Sequence, residues 1–229
     1  MRLPIHHFSV ATMNIVLCLV FLVLMGAGLA TGRAGFLSTV DSHIHDWVVT
    51  YRSAGVTHFF SLITVVGSTQ TIWILDSLII IVLLLRRRRS LAFFSFLTMS
   101  GCGLSIRWIK AFIDRSRPPI ADLFGDPARW ASWPSGHSAA TMATGGLCIL
   151  LIGMWRAGKF SEVHSRQSPR RIALAAQFVL GLVIALVGVS RVVLGYHWPS
   201  DVLGGWLLGC AWLGMWVTAI SMVGHYSRT

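Results

Sequence analysis

Acidic residues are scarce in this chain: Asp and Glu together number 8 in 229 residues, and all charged side chains make up 12% of it. So little charge, beside 55% hydrophobic side chains and a mean hydropathy of +0.70, excludes an ordinary soluble domain, which needs a charged coat. Cysteine is scarce as well, and the four present, Cys18, Cys102, Cys148 and Cys210, all fall in apolar stretches. None lies in a loop where oxidising surroundings would favour a disulfide, and none joins histidine at a metal-binding spacing, so they read as small packing residues. Internal repeats, low-complexity tracts and any linker long enough to set off a second domain are also missing. One domain over residues 1–229 follows.

What the chain has in abundance is long apolar runs. A helix needs about 20 mostly apolar residues to cross the hydrocarbon core. Six such runs lie near Phe8–Ala30, Thr69–Leu85, Leu91–Phe112, Gly136–Trp155, Ile172–Arg191 and Val202–Val223. They predict an all-α fold, an integral membrane bundle of six transmembrane helices with a short interfacial helical segment between spans one and two. The first run has Arg2 ahead of it and Gly28-Leu29-Ala30 near its end, as a cleaved signal peptide would. It is longer than a signal core, however, and reads as an anchor.

The net charge of +11 invites a nucleic-acid reading, but its distribution speaks for topology instead. With the N-terminus cytoplasmic, Arg2, Arg86–Arg89, Arg156, Lys159, Arg166, Arg170, Arg171 and Arg228 all fall inside. This is the Lys/Arg bias that orients membrane proteins, with both termini cytoplasmic. The acids Asp41, Asp46, Asp114, Asp122, Asp126 and Asp201 then lie outside. The run Arg86–Arg89 is most simply a topology anchor; its rival is a site for anionic lipid head groups.

Between the first two spans, the outer segment Gly32–Ser68 carries Asp41-Ser42 as an expected helix cap before Ile44, Trp47, Val48 and Tyr51. A short amphipathic helix lying at head-group depth is the expectation. His43 and His45 do not share a helix face, so both read as surface residues rather than a metal pair. In span two, Asp76 sits near mid-membrane, where a carboxylate is costly and calls for a partner. Arg107 or Lys110 on the next span is the expected one, giving Asp76 and Arg107 a support role.

Three short segments carry chemistry. Lys110 and Arg117 are seven apart, so on a helix running to Pro118-Pro119 they share a face two turns apart. Pro134-Ser135-Gly136-His137 precedes span four, with Ser135 placed to cap it and Gly136 small enough for close backbone approach. A helix start binds phosphate through unpaired N–H groups and its dipole. Ser190-Arg191 ends span five, His197 follows in a turn, and Asp201 lies four residues on. A carboxylate holding one ring N–H leaves the other nitrogen's lone pair available for attack, and Arg191 can meet phosphate oxygens with parallel donors.

Through these three segments the chain resembles the type 2 phosphatidic acid phosphatase family. The family signature K-x6-R-P, P-S-G-H and S-R-x5-H-x3-D is matched by Lys110, Arg117 and Pro118, by Pro134–His137, and by Ser190, Arg191, His197 and Asp201. The resemblance implies catalysis by His197, His137 and Asp201: His197 attacks phosphorus to form a phosphohistidine, Asp201 orients it, and His137 protonates the leaving group and later activates water. It implies phosphate binding by Lys110, Arg117, Ser135, Gly136 and Arg191, and no cofactor or metal.

The function so implied is an extracytoplasmic-facing lipid-phosphate phosphohydrolase of a bacterial plasma (inner) membrane, a multi-pass protein whose partners are the bilayer and a lipid phosphate. Phosphatidylglycerophosphate or phosphatidic acid is the expected substrate; undecaprenyl diphosphate is the alternative, and lipid A phosphates a further one. A lipid phosphotransferase would share the phosphohistidine. A transporter or purely structural bundle leaves the paired histidines unexplained, and vanadate-dependent peroxidases, similar at the phosphate site, are typically larger and soluble. Oligomeric state, lipid entry and the choice of water or alcohol as acceptor stay open at this point.

Overall fold

The computed structural model describes residues 35–157 and 170–226, together with helical residues scattered between 15 and 26. The expected first span, and with it the choice between anchor and signal peptide, therefore lies largely outside the described residues. The elements are α1 (Gly35–Tyr51), α2 (Ala54–Val66), α3 (Thr69–Leu85), α4 (Arg89–Ile113), a 3-10 turn (Ile120–Asp122), α5 (Gly136–Arg156), α6 (Arg170–Val193) and α7 (Pro199–Tyr226). No strand occurs among the described residues.

Five stretches there are long and apolar enough to cross a membrane: Ala54–Leu85, Arg89–Ile113, Gly136–Arg156, Arg170–Val193 and Pro199–Val223. The first of these corrects the expected boundaries. Span two does not begin at Thr69; it is a broken helix, α2 followed by α3, interrupted at Gly67-Ser68. Serines start both halves: Ser53 Oγ accepts from Val56 N–H and Ser68 Oγ from Thr71 N–H, each at 3.3 Å. The break also lets Thr71 Oγ1 donate to Val65 O at 2.8 Å. The outer segment is thus not one short interfacial helix. Its second half, AGVTHFFSLITVV, is apolar and belongs to the span.

The first half, α1, turns two of its polar side chains inward. Phe36, Ile44, Trp47 and Tyr51 form an exposed stripe at helical spacing, while Asp41 and His45, one turn apart, are each 2% exposed. Asp41 is therefore no cap, because the helix already starts at Gly35, and His45 is not a surface residue.

Helix α5 is the centre of the bundle, packed against α4, α6 and α7. Two apolar clusters flank it: Cys102, Trp133, Ala139, Ala143 and Leu208 toward the end where α5 begins, and Leu83, Leu91, Ala92, Met99, Leu147 and Trp216 toward the end where α3 turns into α4. The C-terminal ends of α4 and α6 and the N-terminal ends of α5 and α7 meet at one pole, which brings the three sequence segments together.

Candidate functional site

Helix α4 stops short of its expected end. Asp114 adopts the left-handed conformation (φ 44°) and its N–H closes on Lys110 O, so Arg115, Ser116 and Arg117 leave the helix before Pro118-Pro119, whose rings disfavour helical backbone ahead of them. Lys110 and Arg117 thus do not share a helix face. They converge because the chain turns back: Lys110 Nζ donates to Ala131 O and, at 3.0 Å, to Ser132 O, while Arg117 Nε donates to Trp130 O at 2.8 Å. Both cations grip the same 130–132 strip, one from the buried end of α4 and one from the loop.

That strip leads through Trp133 and a cis bond to Pro134 into the start of α5. Ser135 caps it as expected, its Oγ accepting from Ser138 N–H at 3.4 Å and from Ser138 Oγ at 3.0 Å. Ser135 N–H donates to Asp201 O at 2.9 Å, so the second segment is pinned to the third. A methyl group on Gly136 would meet only Ile106 Cγ2 at 3.7 Å, an ordinary contact, so the protein itself does not require glycine at this point.

His197 hangs in the turn between α6 and α7. Gly195 makes that turn possible: its φ is +74°, and a side chain would strike Asp122 O at 2.6 Å. Ring Nδ1 lies 3.3 Å from Asp201 Oδ2, which also accepts from Ser132 Oγ at 2.5 Å and from Trp198 N–H at 2.9 Å. Ring Nε2, the other nitrogen, lies 3.4 Å from Arg117 Nη1. The ring is 3% exposed. Burial pushes its pKa well below the ordinary imidazole value, to about 3; the hydrogen bond and charge of Asp201 oppose the shift, and Lys110 and Arg117 reinforce it. A neutral ring with Nδ1–H on the carboxylate keeps its lone pair on Nε2.

Arg191, at the end of α6, stacks its guanidinium on the Tyr196 ring at 4.0 Å and donates from Nη1 to Thr64 Oγ1 at 2.6 Å. Its backbone O accepts from both Tyr196 N–H and His197 N–H. Its Nε is buried with no hydrogen-bond partner. Arg117 Nη1 donates to Tyr196 O at 2.6 Å, and burial holds the Arg117 guanidinium below its usual pKa, with Asp201 and then Tyr196 opposing. His137, in the first turn of α5, lies within electrostatic reach of Arg191, His197, Arg117 and Lys110. Lys110, Arg117, Ser135, Arg191, His137, His197 and Asp201 are thereby gathered at one pole.

Two expected support residues are not in this group. Asp76 accepts from Thr144 Oγ1 at 2.7 Å and pairs with neither Arg107 nor Lys110. Arg107 is exposed, and Lys110 is occupied with the 131–132 carbonyls. Equal depth in the membrane does not bring side chains to the same face of a helix, and Asp76 is turned toward Thr144 on α5. Conversely, Ser132, Arg115, Asp41 and Thr64 meet the site without having been expected there. Ser132 and Arg115 are close in sequence to matched residues; nothing in the spacing marked Asp41 or Thr64, which arrive from elements distant in the chain.

A family model described as PAP2 superfamily matches residues 89–224. An undecaprenyl-diphosphatase of Sulfolobus acidocaldarius is 36% identical over 98 residues, 42% of this chain and 37% of that protein. Phosphatidylglycerophosphatase B of Bacillus subtilis is 34% identical over 101 residues, 44% of each chain. The matched stretch thus spans about two fifths of the length of these relatives. Among solved structures, a transmembrane PAP2-type phosphatidylglycerolphosphate phosphatase from Bacillus subtilis superposes with a TM-score of 0.72 at 22% identity, covering 89% of this chain and 94% of that one. Aquifex aeolicus LpxE gives 0.53, also at 22%, over 76% and 93%. At such identity the two structures bear on the fold alone.

Proposed function

The chain belongs to the PAP2 superfamily, and from that premise we propose that it is a metal-independent phosphohydrolase of membrane lipid phosphates, working through a phosphohistidine on His197. The observation that carries the reading is the pairing of a neutral, carboxylate-backed imidazole with two buried cations, Lys110 and Arg191, and the half-buried Arg117; Arg191 holds an unpartnered donor. A tetrahedral dianion would satisfy that donor.

In the first half-reaction the Nε2 lone pair of His197 forms the N–P bond, the P–O bond to the lipid breaks, and His137 passes a proton to the departing oxygen. In the second, neutral His137 takes a proton from water, the new O–P bond forms, and the N–P bond breaks to free inorganic phosphate; the acid of one step is the base of the other. As the N–P bond forms, the ring becomes cationic, and Asp201 stabilises that charge. Lys110, Arg117, Arg191 and the amides at Ser135-Gly136 hold the equatorial oxygens, supplying the positive charge that a metal ion supplies in other phosphoryl-transfer sites.

The substrate is a lipid phosphate monoester, phosphatidylglycerophosphate or phosphatidic acid. Undecaprenyl diphosphate is the second reading, favoured by the 36% identity to an enzyme of that name. The site is proposed to open on the outer face of a bacterial plasma membrane, with both termini cytoplasmic; the exposed apolar side chains Phe36, Ile44, Trp47 and Tyr51 support contact of α1 with that surface.

The test is phosphate release from purified lipid monophosphates and diphosphates in excess chelator, by the wild type and by His197→Ala. Release by the wild type, and loss of at least about a thousandfold in the variant, is expected when a covalent nucleophile is removed. Variant activity within about tenfold of wild type would remove His197 from that role.

A further inference from the structure

The carboxylate behind His197 is itself backed by a second charged pair. Asp201 Oδ2 serves the ring, Ser132 and Trp198 N–H, while its other oxygen, Oδ1, accepts from Arg115 Nη1 at 2.5 Å. Arg115 Nη2 donates to Asp41 Oδ2 at 2.6 Å, and Nη1 also reaches Ser200 Oγ at 2.8 Å. Asp41 closes the network on α7: Oδ1 accepts from Ser200 N–H at 2.9 Å and Oδ2 from Ser200 Oγ at 2.5 Å. The side chains of Arg115, Asp41 and Asp201 are 11%, 3% and 0% exposed. The Trp198 ring seals one flank, with Arg115 Cζ 5.7 Å and the His45 ring 5.3 Å from its centre.

We infer that Arg115 and Asp41 are positioning residues for the reaction, a buried anion–cation–anion chain that fixes the charge and orientation of the His197–Asp201 pair and ties it to the outer helix α1. This inference rests on the phosphatase reading above. Arg115 differs from Lys110, Arg117 and Arg191 in what its donors meet. Both terminal nitrogens are committed to carboxylate and hydroxyl oxygens on the side of Asp201 away from the ring, so it acts through Asp201 and not on phosphate.

The sign of its effect follows from the charges. Facing His197 and Asp201 are Lys110 from α4, Arg115 and Arg117 from the following loop, His137 from α5, Arg191 from α6, Tyr196 from the turn, and Asp41 from α1 behind Arg115. With Arg115 present, one guanidinium lies between two carboxylates. Without it, Asp41 and Asp201 are left as two carboxylates in a dry site with no cation between them, each opposing the other's ionisation, and Asp201 binds a proton more readily. A protonated Asp201 no longer draws the ring's N–H, which reduces activity at acid pH and fades as pH rises.

The test is the pH profile of kcat/KM for phosphate release from one short-chain lipid monophosphate, whose own ionisation is common to every protein compared. Arg115→Gln should lose roughly tenfold or more near pH 5, with the acid limb moved up by about one pH unit or more, and should recover toward wild type above pH 8. Arg115→Lys, which keeps the charge, should leave the limb where it is. Adding Asp41→Asn to Arg115→Gln removes the uncompensated carboxylate and should bring the limb back down, so the double variant is more acid-tolerant than the single one.

A profile merely scaled in height, or losses in the double variant that equal the product of the single losses, would overturn the inference. Should Arg115→Gln fail to fold, Asp41→Asn alone decides. A lower kcat at unchanged KM with no upward movement of the limb supports the chain, and an unchanged kcat or an upward shift sinks it. His197→Ala in the same series separates the two levels: if it stays active the phosphatase mechanism fails, and if it is dead while the Arg115 series is flat, only the positioning role fails.

Discussion

The two poles of the bundle are held by different forces. At the pole where α3 turns into α4, Leu83, Leu91, Ala92, Met99, Leu147 and Trp216 pack as an apolar cluster, with a directional contact from Trp216 Nε1 to Ser95 Oγ at 3.2 Å. At the other pole the buried groups include Asp41, His45, Lys110, Ser132, Ser135, Arg191, His197, Ser200 and Asp201. Most of them are fixed by named donors and acceptors. His45, for example, lies 3.1 Å from Asp122 Oδ2, and Arg52 binds Val193 O and Asp122 O at 2.7 and 2.5 Å. Packing tolerates a shape change by local collapse, whereas a hydrogen-bonded array tolerates few changes of geometry. The first pole should therefore govern stability and the second activity.

The sharpest test at the apolar pole is Leu147→Ala. Leu147 is fully buried at the centre of its cluster, so the cavity should cost about 2–5 kcal/mol of stability. Thermal unfolding in detergent should fall accordingly, while kcat and KM per folded molecule stay at wild-type values. A change in KM would mean that the two poles are mechanically coupled, and the contrast between them would fail.

A smaller effect, read in activity, is expected at the break in span two. A methyl group on Gly67 would lie 2.5 Å from Val187 Cγ1, 3.0 Å from Thr141 Oγ1 and 3.1 Å from His137 Cδ2. Since the Gly67 φ is −89°, the backbone accepts alanine and only the contacts object. Gly67→Ala should push His137 or the break itself, costing roughly tenfold to a hundredfold in kcat/KM, since a displacement of about 1 Å can have that cost. Gly181→Ala, where nothing lies within 4 Å, is the matched control and should be silent. Equal effects of the two would show that the glycine in the break has no bearing on the site.

The same contrast accounts for what could be read from the chain beforehand. Spans and capping serines are local properties: apolar runs declare α4 to α7, and Ser135 caps α5 where the sequence put it. The site residues Lys110, Arg117, Ser135, Arg191, His197 and Asp201 stood at fixed spacings within three short segments, so their convergence followed from topology. Three features were not local. Helix α4 ends four residues early because Asp114 turns left-handed, and Arg115 beyond it meets Asp41 and Asp201, carboxylates from distant parts of the chain. Asp41 and His45 read as cap and surface on an amphipathic helix, because the sequence does not say which face the helix docks. Span two looked as if it began at Thr69 because Gly67-Ser68 resembles an end rather than a break.

The smallest effect belongs to Asp76, and its size discriminates between two accounts of the same residue. A buried ion pair with Arg107 or Lys110 would make Asp76→Asn destructive, since removing one partner of such a pair costs about 3–5 kcal/mol. In the structure the partner is instead the Thr144 hydroxyl, donating to Oδ1 at 2.7 Å. An asparagine carbonyl oxygen can accept that same hydrogen bond, so the exchange should cost no more than about 1 kcal/mol, the worth of one ordinary hydrogen bond. Asp76→Asn should therefore melt within a few degrees of wild type and release phosphate within about twofold of it, while Asp76→Leu, which strands the Thr144 hydroxyl, should lose more stability than Asp76→Asn does. Asp76 lies between the two poles, on α3 facing α5. Severe damage from the asparagine variant would mean that its negative charge, not its hydrogen bond, is what the bundle uses, and would extend the electrostatic pole down into the apolar one.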